Sequence, residues 1–368
     1  MHQHFYQQYN MRTFLLSSLL ALTLAFSSLA ELRYHDASQF KIIGKPTLAT
    51  DTLYNRLPDS LCGRIRQQLW NVGRNSAGIA VRFRSNTTTI GAKWVSWHNF
   101  GMNHMTATGV RGLDLYSLQD DGSWTFVNSA RPGNKPENTS SIMTGMSPEM
   151  REYLLYLPLY DSCNSLSIGV DSTAVIEMPA VDLPVAEKPI VWYGTSITQG
   201  GCASRAGMAA TAIVERALNR VVINLGFSGN GRLDPEIAEV MAAIDASVYI
   251  LDCLPNVTTP QIKERTERFY SILRAAHPDT PILMVQNPEF PNMRFNAETR
   301  RLIEEKNATW HGFYSRFRSA GDRNVHFISS RGMIGDDNEA TVDCAHFTDL
   351  GFERCAAYFV PLLRAYLR

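Results

Sequence analysis

A serine, a glycine turn and an Asp–His pair stand in three short segments far apart in the chain. Gly194-Thr195-Ser196-Ile197-Thr198 follows an apolar run at 189–193. Asn224-Leu225-Gly226-Phe227-Ser228-Gly229 follows a second apolar run at 221–223. Asp343-Cys344-Ala345-His346 precedes a helix-like tail. A serine hydroxyl must lose its proton as it attacks a carbonyl. A histidine can take that proton, and a carboxylate fixes the imidazole tautomer and stabilises the imidazolium. The tetrahedral intermediate then needs two or three donors. Gly229 would let a backbone N–H approach the reacting oxygen closely. The side-chain amide of Asn256, in Leu254-Pro255-Asn256, could donate from a neighbouring strand. Together these residues point to acyl transfer, with Ser196 as nucleophile, His346 as base and Asp343 as its orienter. Singly, each segment reads as well as a helix cap, a surface loop or a plain turn.

Two kinds of chain surround these segments. Residues 31–178 read as β. Ile79, Val81 and Phe83 alternate with Ala80, Arg82 and Arg84, and 112–118 and 124–127 flank the turn Gln119-Asp120-Asp121-Gly122-Ser123. Residues 153–159 and 166–170 add two more strands, and helical periodicity is scarce, which implies a sandwich. Residues 179–189 are proline-rich and read as a linker. From 190 to 368 apolar runs at 190–193, 221–225, 248–251, 282–285 and 325–328 alternate with helical segments. Asp234-Pro235 and Thr259-Pro260 read as helix starts, Asn296 as the cap of 297–319 and Thr348 as the cap of the tail. That alternation implies an α/β unit, a parallel sheet covered on both faces. Ser196 then falls at the C-terminal edge of the sheet, with a helix starting after it.

The order serine, glycine, asparagine, Asp-x-x-His over residues 189–368 resembles the SGNH (GDSL-like) hydrolases. Gly112-Leu113-Asp114-Leu115-Tyr116 is similar to the G-x-D-L-Y motif of a β-domain that precedes one branch of them. The resemblance implies a flavodoxin-like three-layer α/β/α fold and ester hydrolysis. It also implies Ser196, His346 and Asp343 as the triad, and the Ser196 N–H, Gly229 and Asn256 as oxyanion donors. The chain departs from the pattern at Thr195, where the family has aspartate before the serine. In a flavodoxin-like order the first and third strands are neighbours, so Cys202 and Cys253, which follow them, are expected close together and could form a disulfide. Cys344 is a second candidate partner for either.

Bulk properties narrow the setting. The chain has 368 residues, 45% of them hydrophobic and 19% charged, with Lys+Arg and Asp+Glu both 35. No basic excess argues for a nucleic-acid partner. Arg12, the apolar stretch 14–26 and Ser28-Leu29-Ala30 read as an export signal starting at Met11, with residues 1–30 removed. The stretch is short for a membrane anchor. The mature chain is therefore expected in a periplasm or outside the cell, without a membrane span. The six cysteines show no CxxC pair, so no metal site is expected, and a serine mechanism requires no cofactor.

An exported esterase beside a β-sandwich suggests O-acetyl groups on carbohydrate. Trp94, Trp97, His98, Asn103 and His104 lie in one loop-like stretch of the β half. Trp97, Asn103 and His104 are the candidate sugar contacts; alternatively the tryptophans are core and the histidines solvated. Two other readings stay open: a lipolytic esterase or thioesterase on the same machinery, and an inactive glycan-binding protein.

Overall fold

The structure, a computed structural model, describes residues 31–182 and 184–367. The export signal read in residues 1–30 lies outside the described residues. No helix among the described residues is long and apolar enough to cross a membrane.

Among the described residues the N-terminal half carries ten strands: β1 (Leu32–Asp36), β2 (Lys41–Ile43), β3 (Ala80–Ser85), β4 (Ile90–Ser96), β5 (Leu113–Leu118), β6 (Trp124–Ala130), β7 (Glu137–Met143), β8 (Arg151–Tyr156), β9 (Cys163–Asp171) and β10 (Ile176–Glu177). They form two antiparallel sheets, β1-β9-β4-β7 and β10-β3-β8-β5-β6, with β2 paired to β3. Val81, Phe83, Leu115, Tyr153 and Leu155 of the second sheet meet Ile90, Trp94, Leu166 and Ile168 of the first in one core. This is sandwich packing. The other face of the second sheet is not solvated. Ala80, Tyr116, Leu154 and Tyr156 pack instead against Ala206, Ala209, Ala212 and Val214 of the C-terminal half. That double burial explains why Tyr153-Leu154-Leu155-Tyr156 reads as an unbroken apolar run. Two short helices, α1 (Gln67–Gly73) and α2 (Ala107–Arg111), interrupt the strands.

The C-terminal half runs β11 (Val185–Gly194), α3 (Ser196–Gln199), α4 (Ala210–Leu218), β12 (Arg220–Gly226), α5 (Pro235–Ala242), β13 (Val248–Asp252), α6 (Thr259–Ala276), β14 (Ile282–Val285), α7 (Ala297–Ser319), β15 (Val325–Ile328) and α8 (Asp349–Arg364). The five strands are parallel, in the order β12-β11-β13-β14-β15. This is the flavodoxin-like order. Ile190, Trp192 and Ile250 face α4 and α8, while Val191, Tyr193 and Leu251 face α5, α6 and α7. The three layers expected from the sequence are therefore present.

Some local readings change. Strand β11 begins inside the proline-rich segment, since Val185 already pairs with Arg220, and the register shifts before Ile190. Pro189 has no N–H to give the ladder. Helix α6 is capped by Thr258, not Thr259: its side chain accepts from Gln261 N. Asp234 occupies the cap position of α5, but its carboxylate is taken by Arg66 at 2.8 Å. Strands β1, β4 and β7 were not read from the sequence, and Trp94 lies in β4 rather than in a loop.

Candidate active site

Strand β11 stops at Gly194 because a turn must pass under its own next residues. A Cβ at Gly194 would lie 1.9 Å from Thr198 Oγ1 and 2.8 Å from Asp252 O. Thr195 then caps α3. Its hydroxyl accepts from Ile197 N at 3.2 Å, and Thr198 Oγ1 accepts from Thr195 N at 3.3 Å. A threonine can thus hold this turn by the capping box without the family's aspartate. The helix after Ser196 is a single turn of four residues, ended by Gly200 at φ +108°. So short a helix offers its first N–H groups to the site rather than a long dipole.

Ser196 is 7% exposed. Its Oγ lies 2.9 Å from His346 Nε2, and His346 Nδ1 lies 2.8 Å from Asp343 Oδ2. The other carboxylate oxygen accepts from Ala345 N at 3.1 Å and from His346 N at 2.8 Å. Burial would raise the Asp343 carboxyl, but the bonds and charge of His346 outweigh it and hold it below the usual carboxylate range. It stays ionised opposite the imidazole. The loop is pinned at both ends: Val342 N donates to His346 O at 2.8 Å, and Gly351 N to the Thr348 cap at 3.3 Å.

The expected donors flank Ser196 at neighbouring strand ends. Gly229, after β12, has φ +65°, and a Cβ there would meet nothing within 4 Å. The turn's own bonds run from Asn230 N and Gly231 N to Phe227 O and leave the Gly229 N–H outside them. Asn256 closes a 3-10 turn after β13, Leu254–Asn256. Its Oδ1 accepts from Gly231 N at 3.3 Å, which leaves Nδ2 as the donor.

Other residues hold this edge together and carry no motif in the sequence. Gln199 donates to Leu159 O at 2.9 Å and Asn75 Oδ1 at 3.1 Å, and accepts from Ser228 N at 2.9 Å. It therefore ties α3 to the Gly229 turn and to the β half. Tyr160, also from the β half, donates to Ser196 O at 3.3 Å. Beneath, the partly buried Asp252 accepts from Trp192 Nε1 at 3.2 Å and Thr198 Oγ1 at 3.3 Å, and desolvation pushes its carboxyl up to about 7.

A second segment of the β half reaches the triad at His346. The His104 ring meets the His346 ring edge-on at 5.6 Å, and Asn103 Oδ1 lies 2.8 Å from His104 Nδ1. Trp97 lies elsewhere, stacked on His98 at 5.2 Å with the Arg74 guanidinium 3.1 Å above its ring. Trp94 is core, and its Nε1 donates to Arg111 O at 3.0 Å. The pairing expected for Cys202 and Cys253 does not occur, and both are free, as is Cys344. Their strands are neighbours, but Cys253 packs with Leu251, Leu254 and Val257 in the core under α5 to α7. Cys202 sits in the loop after α3, beside His104 and His346.

The G-x-D-L-Y segment proves to be a joint. Asp114 accepts from Arg205 Nη1 and Gly207 N, each at 2.8 Å, and from Ser129 Oγ at 3.0 Å. Burial raises the Asp114 carboxyl despite the Arg205 charge, whose guanidinium also donates to Tyr116 Oη.

Such a sheet, with serine, imidazole and carboxylate in line at its edge, has the arrangement that ester hydrolysis by a serine nucleophile needs. Residues 187–364 match the GDSL-like lipase/acylhydrolase family, and residues 32–176 match the GxDLY domain, the N-terminus of SGNH-hydrolase-type esterases. The chain belongs to the GDSL-like (SGNH) hydrolases. It is 36% identical to a protein of Bacteroides ovatus described as a GDSL-like lipase, covering 92% of this chain and 98% of that one, with a TM-score of 0.87. A salicylyl-acyltransferase from a tetracycline biosynthetic pathway is 15% identical over 91% and 97% of the two chains, TM-score 0.73. A family two carbohydrate esterase from Cellvibrio japonicus is 14% identical over 91% and 98%, TM-score 0.58. At such identities these two share the fold alone. A comparison with curated proteins finds no match.

Proposed function

We propose that this protein is an exported carbohydrate acetylesterase that works through a Ser196–His346–Asp343 triad and an acyl-enzyme. The observation that carries the reading is the continuous line from Ser196 Oγ to His346 Nε2, 2.9 Å, and from His346 Nδ1 to Asp343 Oδ2, 2.8 Å. In the proposed cycle Ser196 Oγ attacks the ester carbonyl as His346 Nε2 takes its proton. The oxyanion forms against the Ser196 and Gly229 N–H groups and Asn256 Nδ2. His346 returns the proton to the departing sugar hydroxyl, and water then releases acetate by the reverse path.

Carbohydrate is favoured over lipid by the polar rim that His104 and Asn103 add at the triad's mouth. The sandwich fold shared with a carbohydrate esterase points the same way. Export rests on Arg12, the apolar stretch 14–26 and Ser28-Leu29-Ala30. The test is acetate release from acetylated plant and host glycans. Ser196→Ala should lower kcat by about 10⁴-fold or more. Turnover on aryl esters should fall steeply beyond short acyl groups. Wild-type turnover by the serine variant sinks the mechanism, and a preference for long acyl chains turns the reading to a lipolytic esterase.

A further inference from the structure

Three metal-ligand side chains meet at the mouth of the triad. His104, Cys202 and His346 come from three segments, and one ligand atom of each lies within 4.8 Å of the other two. Both imidazoles are already held through Nδ1, His346 by Asp343 Oδ2 and His104 by Asn103 Oδ1, each at 2.8 Å. Nε2 is therefore the nitrogen outside these anchors in each ring; in His346 it faces Ser196 Oγ at 2.9 Å, so a metal there competes with the serine. A ring anchored through one nitrogen with the other turned to the site is what metal-ligating histidines almost always show. Cys202 is 8% exposed and sits at φ +72°, a backbone conformation that costs a non-glycine residue energy. Nothing in the serine mechanism uses its sulfur.

The three segments are also clamped to one another. Thr108 Oγ1 donates to Ser204 O at 2.6 Å, and Ser204 N donates to Asp349 Oδ1 at 2.9 Å. This joins the loop of His104 to the loop of Cys202, and that loop to the start of the helix after His346. Two imidazoles and a thiolate form a donor set suited to Zn²⁺.

We propose that His104, Cys202 and His346 form an inhibitory Zn²⁺ site built over the catalytic base. The ion takes His104 Nε2, Cys202 Sγ and His346 Nε2, with water in the fourth position. The Cys202 thiol gives its proton to solvent, and both imidazoles stay neutral. The lone pair of His346 Nε2 that would accept the Ser196 proton goes to the metal, so the hydroxyl loses its base. Tetrahedral bonds of about 2.0–2.3 Å bring the donors to roughly 3.3–3.6 Å apart. Closure brings donors that already lie within 4.8 Å of one another to that spacing, and His104, which is partly exposed, is one of those that can move. Inhibition rests on the esterase reading, whereas metal binding does not.

The experiment is a Co²⁺ titration of metal-free protein, read by the near-ultraviolet thiolate-to-cobalt band, beside Zn²⁺ inhibition of aryl acetate hydrolysis. One equivalent of Co²⁺ should produce the band, Zn²⁺ should abolish it, and chelation should restore activity. Cys202→Ser should hydrolyse ester normally without metal, lose the band, and need at least about tenfold more Zn²⁺ for half inhibition. Cys202→Ala serves if the serine variant folds poorly. Cys344→Ser, which removes the exposed thiol nearest His346 in sequence, should keep both responses. His104→Gln, read by the cobalt band alone, should lose it. No band in the wild type, a band that survives loss of Cys202, or a band lost with Cys344 overturns the proposal. Ser196→Ala should still bind Co²⁺, so an inactive serine variant with an intact band separates this site from the catalytic reading.

Discussion

In the proposed mechanism, attack by the Ser196 hydroxyl needs a proton acceptor, a place for the oxyanion and a fixed turn, and different side chains are assigned to each need. His346 and Asp343 supply the first, and the capping box of Thr195 and Thr198 the third. Asn256 is proposed for the second, because its Oδ1 is already engaged by Gly231 N and its Nδ2 is left to donate. Asn256→Ala should lower kcat by about 10²–10³-fold with KM nearly unchanged, measured by steady-state hydrolysis of an aryl acetate. A change confined to KM would make Asn256 a substrate contact instead. At this level much was legible. The polar types at 196, 256, 343 and 346 show their chemistry in the sequence itself, and the glycine at 229 marks a turn. Gln199 and Tyr160 were not legible, because a glutamine or tyrosine that braces a turn leaves no spacing signature.

The elements beneath the site hold two acids, Glu215 buried and Asp252 partly buried. Asp252 ends β13, and Glu215 on α4 accepts from Tyr156 Oη at 2.8 Å and Val222 N at 2.9 Å. Burial pushes each carboxyl up to about 7. Below their ordinary values both are protonated whether folded or unfolded. Between those values and about 7 the folded protein keeps protons that the unfolded chain has released. Stability from these two groups is therefore full at low pH and lost as pH rises through that window. Urea unfolding at a series of pH values should show this loss, and Asp252→Asn and Glu215→Gln should each flatten it relative to the wild type. An unchanged slope in both variants would mean that neither acid is protonated in the fold. The strands themselves were readable, since runs buried on both faces must be apolar; 282–285 and 325–328 match β14 and β15 in full. Strands β1 and β7 escaped notice because they form the two edges of their sheet and alternate too weakly.

Across the molecule, the two halves share one interior. Arg56, wholly buried in the β half, donates to Asn224 O at 3.1 Å and Gly226 O at 2.7 Å at the end of β12, and to Asn75 O and Val72 O, each at 2.8 Å. Arg205 crosses in the other direction to Asp114. Arg56→Ala would leave buried carbonyls without donors and should cost about 3 kcal/mol or more in unfolding free energy, measured by denaturant titration. Arg56→Lys should not restore it, since one ammonium cannot span that fork. Wild-type stability in the alanine variant would mean that water satisfies these carbonyls. The β half thus forms a wall of the catalytic edge, through Tyr160, Asn75 and His104.

By itself the sequence determined the kind of chemistry, the change from antiparallel to parallel architecture, and the strand ends at which the polar residues fall. Those follow from residue type and local periodicity, which act over a few positions. Only the tertiary structure decided that Cys202 faces His104 and His346 rather than Cys253, that Trp97 stacks away from the triad, and that Asp114 and Arg56 join the halves. Such contacts join side chains tens to hundreds of residues apart, and their partners are chosen by packing geometry that no local pattern records.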